Sequence, residues 1–383
     1  MLLSRAHRDT LIGALLLLGA FGCALLEPDT TSGDLEVLWE VPAWVSTQPV
    51  VFGDLLIAGA QNGNVVAYDR RTGDIRWRRQ LSAVIKIERL LLSGDVVVVP
   101  GLTLFALDAR TGVVRWTRFG ADSTDGTITP ALAGDTLFVP GFTGQTATAL
   151  DVRTGVPFWS VALGKTVLMP TVTDSLVLFP LRFAESAAVP EELVALDRRD
   201  GHVRWRHAFR DSLGVRGGAL VGGAVVDDRV IVGTNIETVV ALRLSDGALL
   251  WEVIAGGPRQ GGYGRSALRV GTQVILHRAN GVMESREATD GQLAWSLANN
   301  GRLGSFAVQR CGAELCRADG RLRVVDTSGR EVWAYGGLNQ AVFLSNVSVA
   351  EDGLMYAGVV YGTNDTRLIA FRPPVRVGPT SPN

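Results

Sequence analysis

Three cysteines and four histidines are the side chains of this 383-residue chain suited to act as nucleophiles, metal ligands or general bases near neutral pH. Their spacing argues against most such chemistry. His202, His207 and His277, the three that lie beyond the first 22 residues, follow no His-x-x-x-His pattern. No run of Asp, Glu and Asn is dense enough for a calcium loop. The three histidines are therefore read as strand or loop residues. Cys311 and Cys316 bracket Gly-Ala-Glu-Leu, a turn between two short runs. Facing each other across that hairpin, they would form a disulfide in an oxidising compartment; a pair of buried free thiols is the alternative. A two-cysteine metal site lacks further ligands nearby. Gly261-Gly262-Tyr263-Gly264 is glycine-rich, but no helix comes after it to present N–H groups to a phosphate. No nucleophile–base pair stands out, so no catalytic, cofactor-binding or metal-binding residue is assigned.

Cys23 sits in a different context. Arg5 and Arg8 precede an apolar run, Leu11–Phe21, and Ala20-Phe21-Gly22-Cys23 closes it. The run is too short to span a bilayer as a mature helix and reads as a cleaved leader. Its end resembles a bacterial lipobox, in which the cysteine is lipidated and becomes the new N-terminus; plain secretory cleavage is the alternative. Residues 1–22 are thus a lipoprotein signal peptide, and residues 23–34 a lipidated cysteine with a polar, flexible tether. Ala24 stands where lipoproteins retained in the inner membrane usually carry Asp, which favours the outer membrane and an anchor on its periplasmic face.

Everything after the tether is organised by one repeated stretch. Phe-Ala-Leu-Asp-Ala-Arg-Thr-Gly-Val-Val-Arg-Trp at Phe105–Trp116 has close copies ending at Trp77, Trp159 and Trp205, and looser ones ending at Trp251, Trp295 and Trp333. A Gly stands four residues before each of these tryptophans. In the first four copies an Asp stands eight before. A period of about 40–45 residues signals a propeller or a solenoid. The residues explain themselves as a strand, an Asp-initiated turn closed by Gly, and a second strand whose Trp fills the wedge between sheets. Leu35–Val41, which holds Trp39, looks like the last strand of a repeat lacking its first three. At the other end Val342–Ala350, Leu354–Val360 and Arg367–Phe371 supply three strands and no closing Trp. The two halves make an eighth blade and abolish the open edges of the array. Asn62-Gly63 between alternating apolar runs is a hairpin signal, and no helical period occurs after the leader. The expectation is all-β: an eight-bladed β-propeller of four-stranded antiparallel blades over residues 35–372, its ring closed by the N-terminal strand, with a disordered tail at 373–383.

Composition narrows the partners. Lys86 and Lys165 are the only lysines among 37 basic residues, and the arginines are scattered through the repeats. Net charge is −1, and −2 once the leader is removed. A nucleic-acid groove needs a clustered basic face, so nucleic acid is excluded. Two loops depart from the repeat plan: the long Leu181–Glu192, and Asp211–Ala219 between the Trp205 strand and the fifth blade.

The Ala-Leu-Asp-x-x-Thr-Gly-x-x-x-Trp repeats resemble those of the pyrroloquinoline-quinone-type eight-bladed propellers. That resemblance spans residues 35–371 and has two branches. Chain length, lipobox and Ser212-Leu213-Gly214-Val215-Arg216-Gly217 are similar to the BamB lipoproteins of the outer-membrane barrel-assembly machine, which carry a Leu-x-Leu-Arg-Gly loop at this place. The resemblance implies that Leu213, Val215 and Arg216 contact a periplasmic POTRA domain of BamA, with Val replacing the second Leu. Unfolded outer-membrane proteins are further implied partners. BamB proteins usually carry Asp residues on the next equivalent loop, whereas Gly256–Ser266 has none. The other branch, the quinoprotein dehydrogenases, carries a vicinal Cys-Cys pair, a Ca²⁺ site and a catalytic Asp; here Cys311 and Cys316 are separated by four residues. The expectation is a non-catalytic scaffold without cofactor. A ligand- or peptide-binding sensory propeller is the alternative.

Overall fold

The computed structural model describes residues 35–372, apart from 61, 82–88, 102, 120–128, 142–144, 165, 183–191, 210–222, 235–237, 255–262, 279, 299–307, 319–320, 337–341 and 363. The leader, the tether and the tail at 373–383 lie outside the described residues. So do Cys23, Leu213, Val215 and Arg216.

Alternating apolar residues and Gly- or Asp-centred turns fold the chain into eight antiparallel sheets, and no helix occurs among the described residues. Blade 1 shows the plan. Val50–Phe52 pairs with Leu55–Gly59, that strand with Asn64–Asp69, and that with the outer strand Ile75–Gln80. The same order recurs around an eight-bladed β-propeller. In blade 8 the fourth strand is Glu36–Pro42, antiparallel to Asp365–Arg372, so the N-terminal strand closes the ring. The innermost strand is broken in two in blade 4 (Thr166–Val167, Thr171–Val172) and in blade 8 (Val342–Phe343, Ser348–Val349). In blade 4 the break holds Pro170, which has no N–H for the ladder. The continuous Val342–Ala350 strand expected from the sequence is therefore two short pieces.

Each outer strand carries a register shift just before its Trp, in all eight blades. The extra residue twists the strand locally and re-aims the side chains beyond it. The buried apolar side chains fall into eight clusters, each drawn from two neighbouring blades. One cluster joins Tyr356, Leu368 and Ala370 of blade 8 to Leu56, Ala58 and Tyr68 of blade 1. The core is thus a ring of inter-blade interfaces.

The Trp residues bind those interfaces in a way the repeat does not disclose. A Cβ on Gly112 of blade 2 would lie 2.5 Å from the ring of Trp77, which belongs to blade 1. The same holds for Gly155 with Trp116, Gly201 with Trp159, Gly247 with Trp205, Gly291 with Trp251, Gly329 with Trp295 and Gly73 with Trp39. Each of these indoles also donates its Nε1–H to a carbonyl in the turn it covers, as Trp116 does to Val152 at 2.9 Å and Trp39 to Arg70 at 3.0 Å. Trp333 has no such glycine, because the last blade's fourth strand begins at the N-terminus. It is buried in one cluster with Leu35, the residue at the glycine's station.

Candidate partner interface

The segment singled out in the sequence, Asp211–Ala219, falls between the outer strand of blade 4, Val203–Ala208, and the innermost strand of blade 5, Ala224–Val226. Both of its ends are fixed. Phe209 is 2% exposed in the cluster between blades 4 and 5 and stands edge-on to His207, ring centroids 5.3 Å apart. At the far end Gly223 accepts a hydrogen bond from Thr171 Oγ1 at 2.8 Å, which ties it to blade 4. A Cβ on Gly223 would lie 2.6 Å from the Ile231 carbonyl oxygen, so backbone packs directly on backbone there. Leu213, Val215 and Arg216 themselves lie outside the described residues, between two stems that cannot shift freely.

Beside the first stem lies a cavity of 170 Å³ lined by His207, Phe209, Thr238, Val240 and Glu252, among others. His207 stands at a repeat station that other blades fill differently. Two residues after Trp77, Arg79 donates its Nε–H to the Gly112 carbonyl at 2.8 Å. Two residues after Trp205 the shorter His207 reaches the Gly247 carbonyl with Nδ1 at 3.1 Å. Burial holds the His207 imidazole below its ordinary pKa, so it is neutral at pH 7. A neutral imidazole beside Glu252 can orient a polar group.

The expected turn chemistry is seen in detail. Asp108 Oδ1 accepts the backbone N–H groups of Arg110 and Thr111, each at 3.0 Å, and Asp69 and Asp151 repeat the pattern. Arg115 holds both Asp95 and Asp108 at 2.6 Å, and its guanidinium keeps both carboxyls below their usual range. A disulfide joins Cys311 to Cys316, Cα atoms 5.7 Å apart, across the first hairpin of blade 7. His202 lies in the turn before the outer strand of blade 4, and its N–H is held by Asp200 at 2.9 Å.

A buried ionic group in blades 6 and 7 had no sequence signal. Glu284 binds Arg278 at 2.5 Å and Arg286 at 3.0 Å, and all three are less than a tenth exposed. On the opposite side of blade 6, His277 is buried near Arg317, which donates to the Gly281 carbonyl at 2.6 Å and stands across the ladder from Arg323. Arg323 in turn lies 3.7 Å from Glu331. Burial first, and the Arg317 charge second, push the His277 pKa down to about 4. Among the described residues no group of three or more His, Cys, Asp or Glu side chains could hold a metal ion.

The family model described as outer membrane protein assembly factor BamB matches residues 29–166, 103–280 and 189–335, each match starting about two blades beyond the last. The outer membrane protein assembly factor BamB of Burkholderia pseudomallei is 26% identical over 255 residues, 54% of this chain and 65% of that protein. The chain therefore spans slightly less than two thirds of that relative. Among solved structures, BamB from Moraxella catarrhalis superposes with a TM-score of 0.65 at 18% identity, covering 88% of this chain and 100% of that one. Quinohemoprotein alcohol dehydrogenase from Comamonas testosteroni gives 0.66 at 14% identity, covering 89% and 78%. At such identities the superpositions speak for the fold alone.

Proposed function

The chain belongs to the BamB family of outer membrane protein assembly factors, and from that premise we propose that it is a non-catalytic scaffold lipoprotein on the periplasmic face of the outer membrane. Cys23 carries the lipid, and the partner is a POTRA domain of BamA, bound through Leu213, Val215 and Arg216. Incoming barrel proteins are further clients, taken up by strand addition to a blade edge. The observation that carries this reading is the match of the family model along residues 29–335. The fixed stems at Phe209 and Gly223 support it, because they set the place on the ring from which the segment between them starts and returns. A quinone-dependent dehydrogenase fits the residues less well: those enzymes carry vicinal cysteines, whereas the disulfide here joins residues five apart.

Calorimetric titration of the detergent-solubilised protein with the POTRA domains of the same organism's BamA tests the proposal. Micromolar or tighter binding is expected, lost on Arg216→Glu in a variant whose circular dichroism is unchanged. Binding that ignores the substitution keeps the partner and discards the loop. No heat at concentrations well above ~100 μM, where Kd values of weak contacts still register, overturns the scaffold reading. The blade 4–5 cavity would then favour a ligand-binding propeller.

A further inference from the structure

Large apolar side chains that stay in water are concentrated on one rim of the ring. Of the ten that are exposed by more than a third among the described residues, six lie at the start of the outer strands of four consecutive blades: Val37 and Leu38 in blade 8, Ile75 in blade 1, Val113 in blade 2, and Val156 and Phe158 in blade 3. Phe158 is 59% exposed and Val156 57%. Leu249 and Leu293 hold the same station in blades 5 and 6. Trp44, beyond the far end of the closing strand, and Ile254, the last residue of the outer strand of blade 5, lie on the opposite rim. The position is set by the repeat, since each of the six falls within three residues before a Trp and several sit at or beside the register shift that turns them outward.

Basic side chains share this rim. Arg71, Arg110 and Arg153 occupy the same station, two residues after the turn Asp, in blades 1, 2 and 3, and all three are exposed. The turn carboxylates are engaged locally: Asp69 by Arg76 and two backbone N–H groups, Asp108 by Arg115 and two more. Arg153 lies 3.2 Å from Asp135 in an exposed pair, which costs little to open. Exposed aliphatic and aromatic groups interleaved with arginine are the chemistry of a surface that lies in a phospholipid headgroup layer.

The chain's own course favours a membrane as the occupant. The closing strand begins at Glu36, at the station where the other blades leave this same rim. An unstructured chain of eleven residues, the number in 24–34, has a root-mean-square reach of about 18 Å. The seven-residue closing strand alone rises about 23 Å. To turn the opposite face toward the lipid, the tether would have to climb the whole height of a blade. We propose that this rim, from Val37 through Phe158, docks on the anionic phospholipid surface beside the anchor and turns the loops of the opposite rim, 210–222 among them, away from the membrane. The proposal rests on the lipid anchor at Cys23.

The test uses the full lipidated protein in vesicles of phosphatidylethanolamine with phosphatidylglycerol. A nitroxide is placed at Val156→Cys, and separately at Trp44→Cys, and its collisions with a water-soluble nickel chelate and with oxygen are measured. Expected is a several-fold fall in chelate collisions at position 156 relative to detergent, with position 44 unchanged. Arg110→Glu combined with Arg153→Glu should return position 156 to the aqueous value. Equal chelate access at both positions in protein that floats with the vesicles overturns the docking but leaves the anchor standing. Protein that does not float sinks the anchor, and the docking with it. Shielding of position 156 only when POTRA domains are added makes the rim a protein contact and also overturns the proposal.

Discussion

At the scale of single residues, the fold rests on the packing of a tryptophan ring against a glycine that belongs to the next repeat. Gly112 has φ +67° and Gly134 φ +59°, so alanine at either must adopt a left-handed backbone at a cost of about 1–2 kcal/mol. The two differ in surroundings. Nothing lies within 4 Å of a Cβ on Gly134, whereas one on Gly112 would sit 2.5 Å from the Trp77 ring. Gly112→Ala must also push the indole away from the Ala109 carbonyl, now 3.0 Å from Nε1. Gly134→Ala should therefore lose about 1–2 kcal/mol and Gly112→Ala about 3–5 kcal/mol, read as urea midpoints at constant slope. Equal losses would show that the indole is not fixed against the glycine. The spacing Gly-x-x-x-Trp was legible in the chain, and so was the turn-making Asp. Which Trp meets which Gly was not, because a repeat's internal spacing carries no information about contacts with the next repeat.

At the scale of the blade, strand order was readable from turns and alternation, but the polar interior of blades 6 and 7 was not. Arg278, Arg317 and Arg323 look like scattered surface arginines, and His277 like any strand residue. Their burial comes from facing a neighbouring blade, which a linear pattern does not encode. The consequence is a pH dependence whose sign is fixed. His277 has its folded pKa lowered to about 4, so between that value and its ordinary 6.5 the unfolded chain binds the extra proton. Stability is fully present above pH 6.5 and is lost as pH falls. Between pH 7 and pH 5 this single group should remove about 2 kcal/mol. His207, also lowered by burial, adds in the same direction. The turn aspartates, held low by Arg76 and Arg115, lose their contribution only below the ordinary carboxylate range. Stability of wild type and His277→Gln, measured by urea denaturation from pH 7 to pH 5, separates these parts. The variant should show a clearly shallower decline; identical slopes would mean that His277 is not buried neutral. The disulfide in blade 7 will not confuse the comparison, since both proteins keep it.

At the scale of the molecule, eight interfaces support one another only while the ring is closed. Counting tryptophans predicted that closure, because Trp39 supplies the fourth strand that the C-terminal three lack. What holds it is the ladder from Glu36 to Pro42, broken only by the shift before Trp39, the seating of Trp39 over Gly73, and two ion pairs at 2.6 Å, Glu40 with Arg367 and Arg70 with Asp352. The strand is joined to its blade through non-covalent contacts alone, since more than 300 residues separate Glu40 from Arg367. Removing residues 1–42 should expose the edge of Asp365–Arg372 and empty the seat of Trp39. The loss is at least the ~3–5 kcal/mol of one large core aromatic, and the bare edge invites pairing with other copies. A lower thermal midpoint and a concentration-dependent shift toward larger species in sedimentation are the expected readings. A peptide spanning Leu35–Pro42, added in excess, should reverse both, because it offers the missing strand in trans. If the shortened chain melts as the intact one does and stays monomeric, the ring is held by its other seven interfaces and the N-terminal strand is an ornament. If it is destabilised and the peptide rescues it, the N-terminal strand is the one that completes the fold.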